Sequence, residues 1–150
     1  MNQTSLDQNT SLQVRRLIPA PRERVFRAWI ERDALQQWFR PGGVEVKVSR
    51  LEAQVGGGFQ FETTASDGTR GVMTGKYLEI NFPERLVFTL TSYVTDDKET
   101  LVTIEFIEQG ASTEVIVTHD RFASAAIRAR HQQGWALILA QLARAVLELT

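Results

Sequence analysis

The chain has 150 residues, 43% hydrophobic and 23% charged, a balance that fits one soluble globular domain burying roughly 70% of the surface its unfolded form exposes. Lys+Arg 17 against Asp+Glu 18 leaves a formal net charge of -1, so there is no global field to recruit nucleic acid or an anionic membrane. The absence of cysteine excludes a disulfide framework, thiolate chemistry and cysteine-ligated metal, and no apolar run is long enough to span a bilayer.

The opening MNQTSLDQNT has neither a basic nor an apolar signal region, which predicts a flexible polar tail over 1–10, a single domain over 11–150 and a cytoplasmic location. The glycosylation-like triplets at Asn2 and Asn9 read as chance matches in that tail. A first strand is expected over about Leu12 to Ile18, with Leu12, Val14 and Leu17 as its apolar positions and Pro19 ending it. Pro21 then suits the first turn of a helix whose stripe is Val25, Phe26, Trp29 and Ile30. A second short helix, Asp33 to Trp38, follows with Asp33 as its cap and Pro41-Gly42-Gly43 as its stop.

Strict alternation from Val44 sets Val44, Val46 and Val48 against Glu45, Lys47 and Ser49, the mark of a half-buried strand. Gly56-Gly57-Gly58 turns into the alternating strand Phe59 to Thr63, and Ser66-Asp67-Gly68-Thr69 turns again. In the long strand Gly71 to Phe82, Met73 and Tyr77 share one parity while Val72, Leu78 and Ile80 share the other, and Gly75 is the expected bulge. Strands Leu86 to Tyr93, Leu101 to Ile107 and Thr113 to His119 follow, with the turn Asp96 to Glu99 between the first two. The last element is a helix over about Ser124 to Glu148 with an apolar face of Ile127, His131, Gly134, Trp135, Ile138, Leu142, Val146 and Leu149.

Strands joined by tight turns pair antiparallel, so this order predicts an α+β protein: a curved sheet of about seven strands wrapped on a long C-terminal helix, with two short helices after the first strand. Between sheet and helix lies the expected pocket.

The stretches Ala20-Pro21-Arg22-Glu23-Arg24-Val25-Phe26-Arg27-Ala28-Trp29, Trp38-Phe39-Arg40-Pro41, Gly75 to Ile80, Pro83 to Phe88, Thr118-His119 and Gly134-Trp135 resemble the SRPBCC superfamily, also called START-like or Bet v-like. Within it the chain is similar to the family named for the C-terminal domain of the Aha-type activator of the heat-shock chaperone ATPase. The resemblance covers nearly everything after the tail. It implies a helix-grip fold with a cavity between sheet and C-terminal helix. Superfamily branches include binders of lipids, hormones or polyketides and a few enzymes, so a shared fold does not assign one function.

The candidate ligand contacts are Trp29, Trp38, Phe39, Phe59, Phe61, Met73, Tyr77, Phe88, His119, Phe122, His131, Gly134, Trp135 and Ile138. The competing reading is that many of these aromatics simply fill the core. A closed dry void of ~300 Å³ would cost on the order of 7 kcal/mol, so the concavity must be filled, wetted or occupied. Gly134 inside a helix costs about 1 kcal/mol against alanine, which either ligand space or a close helix approach would offset. His119, by parity on the cavity wall, either orients a ligand or is a core histidine with protein partners.

Two histidines without cysteine make an incomplete metal set, since further ligands would have to come from Glu114 or Asp120. No metal, cofactor or catalytic residue is assigned. Glu45, Glu62 and Glu105 fall on polar parities, and Glu79 shares parity with Tyr77. Arg121, Arg128 and Arg130, near the start of the last helix, either attract an anionic ligand head or belong to a solvated surface of mixed charge. Three functions follow: a binding protein for a small hydrophobic or amphipathic molecule, an enzyme of the cyclase, dehydratase or hydrolase kind in the same cavity, and a co-chaperone-like interaction module. A protein partner or a homodimer is compatible with each.

Overall fold

A computed structural model describes residues 10–147 except 93, 94 and 96. Most of the expected tail, Tyr93 at a strand end, Asp96 in its turn, and Glu148 and Leu149 of the last helix lie outside the described residues.

The elements are β1 (Leu12–Ile18), α1 (Arg22–Ile30), α2 (Arg32–Trp38), a 3-10 turn at Pro41–Gly43, β2 (Glu45–Leu51), β3 (Gly58–Thr64), β4 (Arg70–Asn81), β5 (Arg85–Leu90), β6 (Thr100–Gln109), β7 (Ser112–Asp120) and α3 (Ala125–Ala145). All strands join one antiparallel sheet in the order β1-β7-β6-β5-β4-β3-β2. Short turns make β2 to β7 a meander, as expected of tightly linked strands. The pair α1–α2 carries the chain from one sheet edge, β1, to the other, β2. With α3 on the buried face, this is the expected helix-grip arrangement of α+β type.

The two short helices are placed by burial more than by capping. α1 buries Val25, Phe26, Ala28 and Trp29. Pro21 occupies its cap position instead of the first turn. Asp33 does not cap α2: Glu31 stands at the cap with extended backbone and no side-chain bond, and Asp33 lies in the first turn, where a carboxylate still complements the helix dipole. In β1 the inward positions are Leu12, Val14 and Ile18, with Val14 partly buried, while Leu17 is exposed beside Glu114 of β7.

The bulge expected at Gly75 is instead at Leu78, where the β4–β5 register shifts between Tyr77 and Glu79. Gly75 meets a different need. A Cβ there would stand 2.1 Å from the Thr89 carbonyl oxygen and 2.2 Å from the Phe59 ring, so only glycine lets that ring lie across the strand. The extra residue reverses parity: Met73 and Tyr77 are buried, Leu78 is exposed, and Ile80 packs against the core. Glu79 is thereby turned to the outer face, 3.3 Å from Arg85.

Helix α3 starts at Ser124, whose Oγ accepts from the Ile127 amide at 3.2 Å. Its core-facing residues are Trp135, Ile138, Leu139 and Leu142, continued by Val146 after the last turn. Leu139 widens the expected stripe, while Ile127 and His131 are only half-buried. α3 packs on β1, on α2 and on the 3-10 turn. The side chains of both layers merge into one hydrophobic core.

Candidate functional site

Two aromatic networks close the inner part of the concavity. Phe59 sits 5.0 Å from Phe61 and 5.6 Å from both Tyr77 and Phe88, ring centre to ring centre. Trp29 meets Trp38 edge-on at 4.9 Å and faces Trp135 at 6.1 Å. Such tilted and edge contacts suit the quadrupoles of the rings. The space left among Trp29, Phe59, Phe61, Tyr77 and Phe88 is about 30 Å³, room for water and not for a ligand. These five residues and Trp38, whose Nε1–H donates to the Ala28 carbonyl at 2.8 Å, are buried in the hydrophobic core.

Toward the sheet ends the packing opens into a cavity of about 420 Å³ between α3 and strands β3, β4 and β5. Of the expected contacts it brings together Phe39, Met73, His131, Gly134, Trp135 and Ile138. Gly134 is the gap in the helix wall: a Cβ there would have no atom within 4 Å. Close approach to another element therefore does not explain this glycine, which faces open space. Exposed rim residues such as Gly42, Val72 and Arg130 open the cavity to solvent, which removes the penalty of a dry void. The 3-10 turn that walls one side is fastened to α3 by Gln141, which accepts from the Arg40 amide at 3.2 Å and donates to the Arg40 carbonyl at 3.1 Å.

His119 and Phe122 stand outside both spaces. His119 is fully buried behind Trp135. Its Nδ1 accepts the Trp135 Nε1–H at 2.9 Å, which leaves the ring proton on Nε2, 2.7 Å from Thr100 Oγ1. The Thr100 hydroxyl then donates to the Leu90 carbonyl at 2.6 Å. The relay runs from the helix wall of the cavity, Trp135, to its sheet wall, Leu90, and uses the whole polar capacity of a neutral imidazole. Burial, reinforced by the charge of His131, holds the His119 pKa well below the usual imidazole value. Phe122 packs on both rings, 4.2 Å from His119 and 4.7 Å from His131.

His131 is the titratable group that reaches the cavity. Its Nδ1–H donates to the Ile127 carbonyl at 2.9 Å, leaving Nε2 as the free acceptor of the neutral ring. Burial lowers its pKa and Arg130 adds to that, while the bond to Ile127 works the other way. Burial likewise pushes the Tyr77 phenol above its ordinary range.

Sequence reasoning passed over several lining residues: Val44 and Ala65 at strand ends, Thr63 of β3, Leu90 of β5 and Ser92 just beyond it. Ser92 is 3% exposed and its Oγ has no hydrogen-bond partner among the described residues. Small and β-branched residues at strand ends carry no signal that separates a cavity wall from an ordinary sheet. No group of three or more His, Asp or Glu side chains among the described residues could hold a metal ion. No helix among them is long and apolar enough to cross a membrane.

The profile of the family described as Activator of Hsp90 ATPase homolog 1-like protein matches residues 19–147, most of the chain. The protein belongs to this family. Among solved structures, a Chromobacterium violaceum protein superposes on this family member with a TM-score of 0.84 and 29% identity, covering 91% of this chain and 97% of its own. An Activator of Hsp90 ATPase homolog 1-like protein from Aeromonas hydrophila gives a TM-score of 0.77 at 26% identity, covering 93% of each chain. A Nitrosomonas europaea protein at 20% identity shares the fold, with a TM-score of 0.81 over 98% of this chain and all of its own. No curated protein matches the sequence.

Proposed function

We propose that this family member is a binding protein for a small hydrophobic or amphipathic molecule, held between α3 and strands β3 to β5. The observation that carries the reading is the unfilled space beside Gly134. A cavity of about 420 Å³ falls within the ~300–1,000 Å³ of small-molecule sites. The wall is predominantly apolar, from Phe39, Met73, Leu90, Trp135 and Ile138, with a few polar groups, Thr63, Ser92, Arg130 and His131, among them. Membership of a family with this fold supports ligand binding as a class and leaves the ligand open.

A binding role is favoured over catalysis through His119 by the way that side chain is used. Both its nitrogens are engaged by protein groups and its ring does not line the cavity, so it offers no base to a bound molecule.

The test is uptake of the uncharged fluorescent probe N-phenyl-1-naphthylamine by the wild type and by Gly134→Leu. A Cβ at 134 meets no neighbouring element within 4 Å, so a leucine there starts into the open space. The expected result is saturable uptake by the wild type and loss of uptake in the variant, with cooperative unfolding retained in both. Equal uptake by a folded Gly134→Leu protein would remove this cavity as the site.

A further inference from the structure

The cavity is apolar along its walls and lopsided in charge at its mouth. Among the described residues that line it, the one charged side chain is Arg130, and no Asp or Glu lines it. Arg130 makes no ion pair with a described residue, while Arg128 on the same helix donates through Nε to the Ser11 carbonyl at 2.7 Å and Arg85 sits beside Glu79 and Glu105. One helical step on, His131 faces the same space with His119, Phe122 and Trp135 packed nearby. None of these neighbours supplies negative charge. The protein as a whole carries a net charge of -1, so the uncompensated positive rim is a local feature.

Resting on the ligand-binding reading above, we propose that the natural occupant carries an anionic head, a carboxylate or an equivalent acid, that pairs with Arg130 at the mouth while its apolar body lies along Met73, Trp135 and Ile138. A planar guanidinium with several donors suits an acid group better than a hydroxyl does. Placing the anion at the rim keeps it partly hydrated, which avoids the cost of burying a charge inside an apolar cavity. Behind it, the space beside Gly134 takes the chain or ring. An anion at this position would also offset the repulsion between Arg130 and a protonated His131, one of the causes that keep the His131 ring neutral.

The test compares three amphiphiles on ten-carbon chains with the full chain: decanoate, whose carboxyl carbon is the tenth, decanol and decyltrimethylammonium, each displacing N-phenyl-1-naphthylamine at pH 8, where the acid is ionised. Decanoate without a cationic partner should bind less well than decanol, because its head is the more strongly hydrated. With Arg130 in place, the expected order is decanoate first by about three- to ten-fold, then decanol, then the ammonium. Arg130→Gln should lower decanoate to the level of decanol or below and leave decanol unchanged, so decanol reports that the cavity is intact. Arg130→Glu should favour the ammonium over decanoate. Wild-type affinity for decanol equal to or above that for decanoate would overturn the inference, as would a decanoate preference that survives Arg130→Gln. Failure of the wild type to take up the neutral probe at all would remove the ligand-binding reading, and the head-group assignment with it.

Discussion

Trp135 and His119 are bonded through the core: the indole Nε1–H of the helix residue donates to Nδ1 of the strand residue at 2.9 Å. This bond fixes the indole that walls the cavity, and the 2.7 Å contact from the other ring nitrogen to Thr100 anchors the imidazole to β6. Leucine at 119 would leave a buried indole N–H unsatisfied, which costs about 1–3 kcal/mol before packing changes are counted. His119→Leu is therefore expected to lower unfolding free energy by about 2–3 kcal/mol. His119→Gln, which keeps a donor and an acceptor, should lose less. Urea unfolding of the three proteins checks this, and equal stability of the leucine and glutamine variants would contradict the relay.

Stability should also depend on pH below neutrality. His119 is held neutral by burial in the folded protein, with a pKa lowered well below its ordinary value. The unfolded chain takes up a proton near pH ~6.5. Below that pH the unfolded state binds more protons, so stability falls as pH falls, with a limiting slope of about 1.4 kcal/mol per pH unit for this one group until the folded histidine itself titrates. Above pH ~7 the histidine leaves no slope, because both states are neutral. His131, also lowered by burial, acts with the same sign. Unfolding free energies between pH 5 and 8 should slope less steeply in His119→Gln than in the wild type. Parallel curves would show that His119 titrates alike in the folded and unfolded chain, which would contradict a ring held neutral by burial.

Two glycines should respond to alanine in opposite directions. At Gly134 a Cβ meets nothing within 4 Å. The substitution should stabilise the protein by roughly 0.5–1 kcal/mol through helix propensity. A loss of stability on thermal or urea unfolding would mean that the helix approaches another element there.

At Gly75 the added Cβ would stand 2.1 Å from a backbone oxygen of β5 and 2.2 Å from the Phe59 ring. Gly75→Ala should cost at least about 2–3 kcal/mol, since the obstacle is backbone as well as side chain. Retention of full stability would be inconsistent with the packing of Phe59 across β4.

Much of the architecture is legible along the chain because the periodicities are clean. Val46 and Val48 alternate with polar neighbours and are buried, and the spacing of Trp135, Ile138 and Leu142 in α3 gives its core face. Glu79 defeats the same rule, because a single extra residue at Leu78 reverses parity and nothing in the local sequence marks it. His119 is placed on the inward face by parity, but its use depends on Thr100 and Trp135, distant partners that sequence spacing does not reveal. For the candidate cavity, the most useful sequence signal is Gly134, a costly residue in a helix interior with no clash to justify it. The aromatic residues, the more conspicuous feature, divide between core and cavity according to depth, which periodicity cannot report.

The central claim is that the space beside Gly134 takes up a small amphipathic molecule. The most direct measurement is an amide and indole chemical-shift map of the isotope-labelled protein titrated with decanoate. The account predicts saturable shifts concentrated at Gly134, the Trp135 indole, Met73 and Ala65, with the outward-facing positions of β6 and β7 unmoved. Shifts absent from this set, or concentrated on the outer face of the sheet, would contradict it.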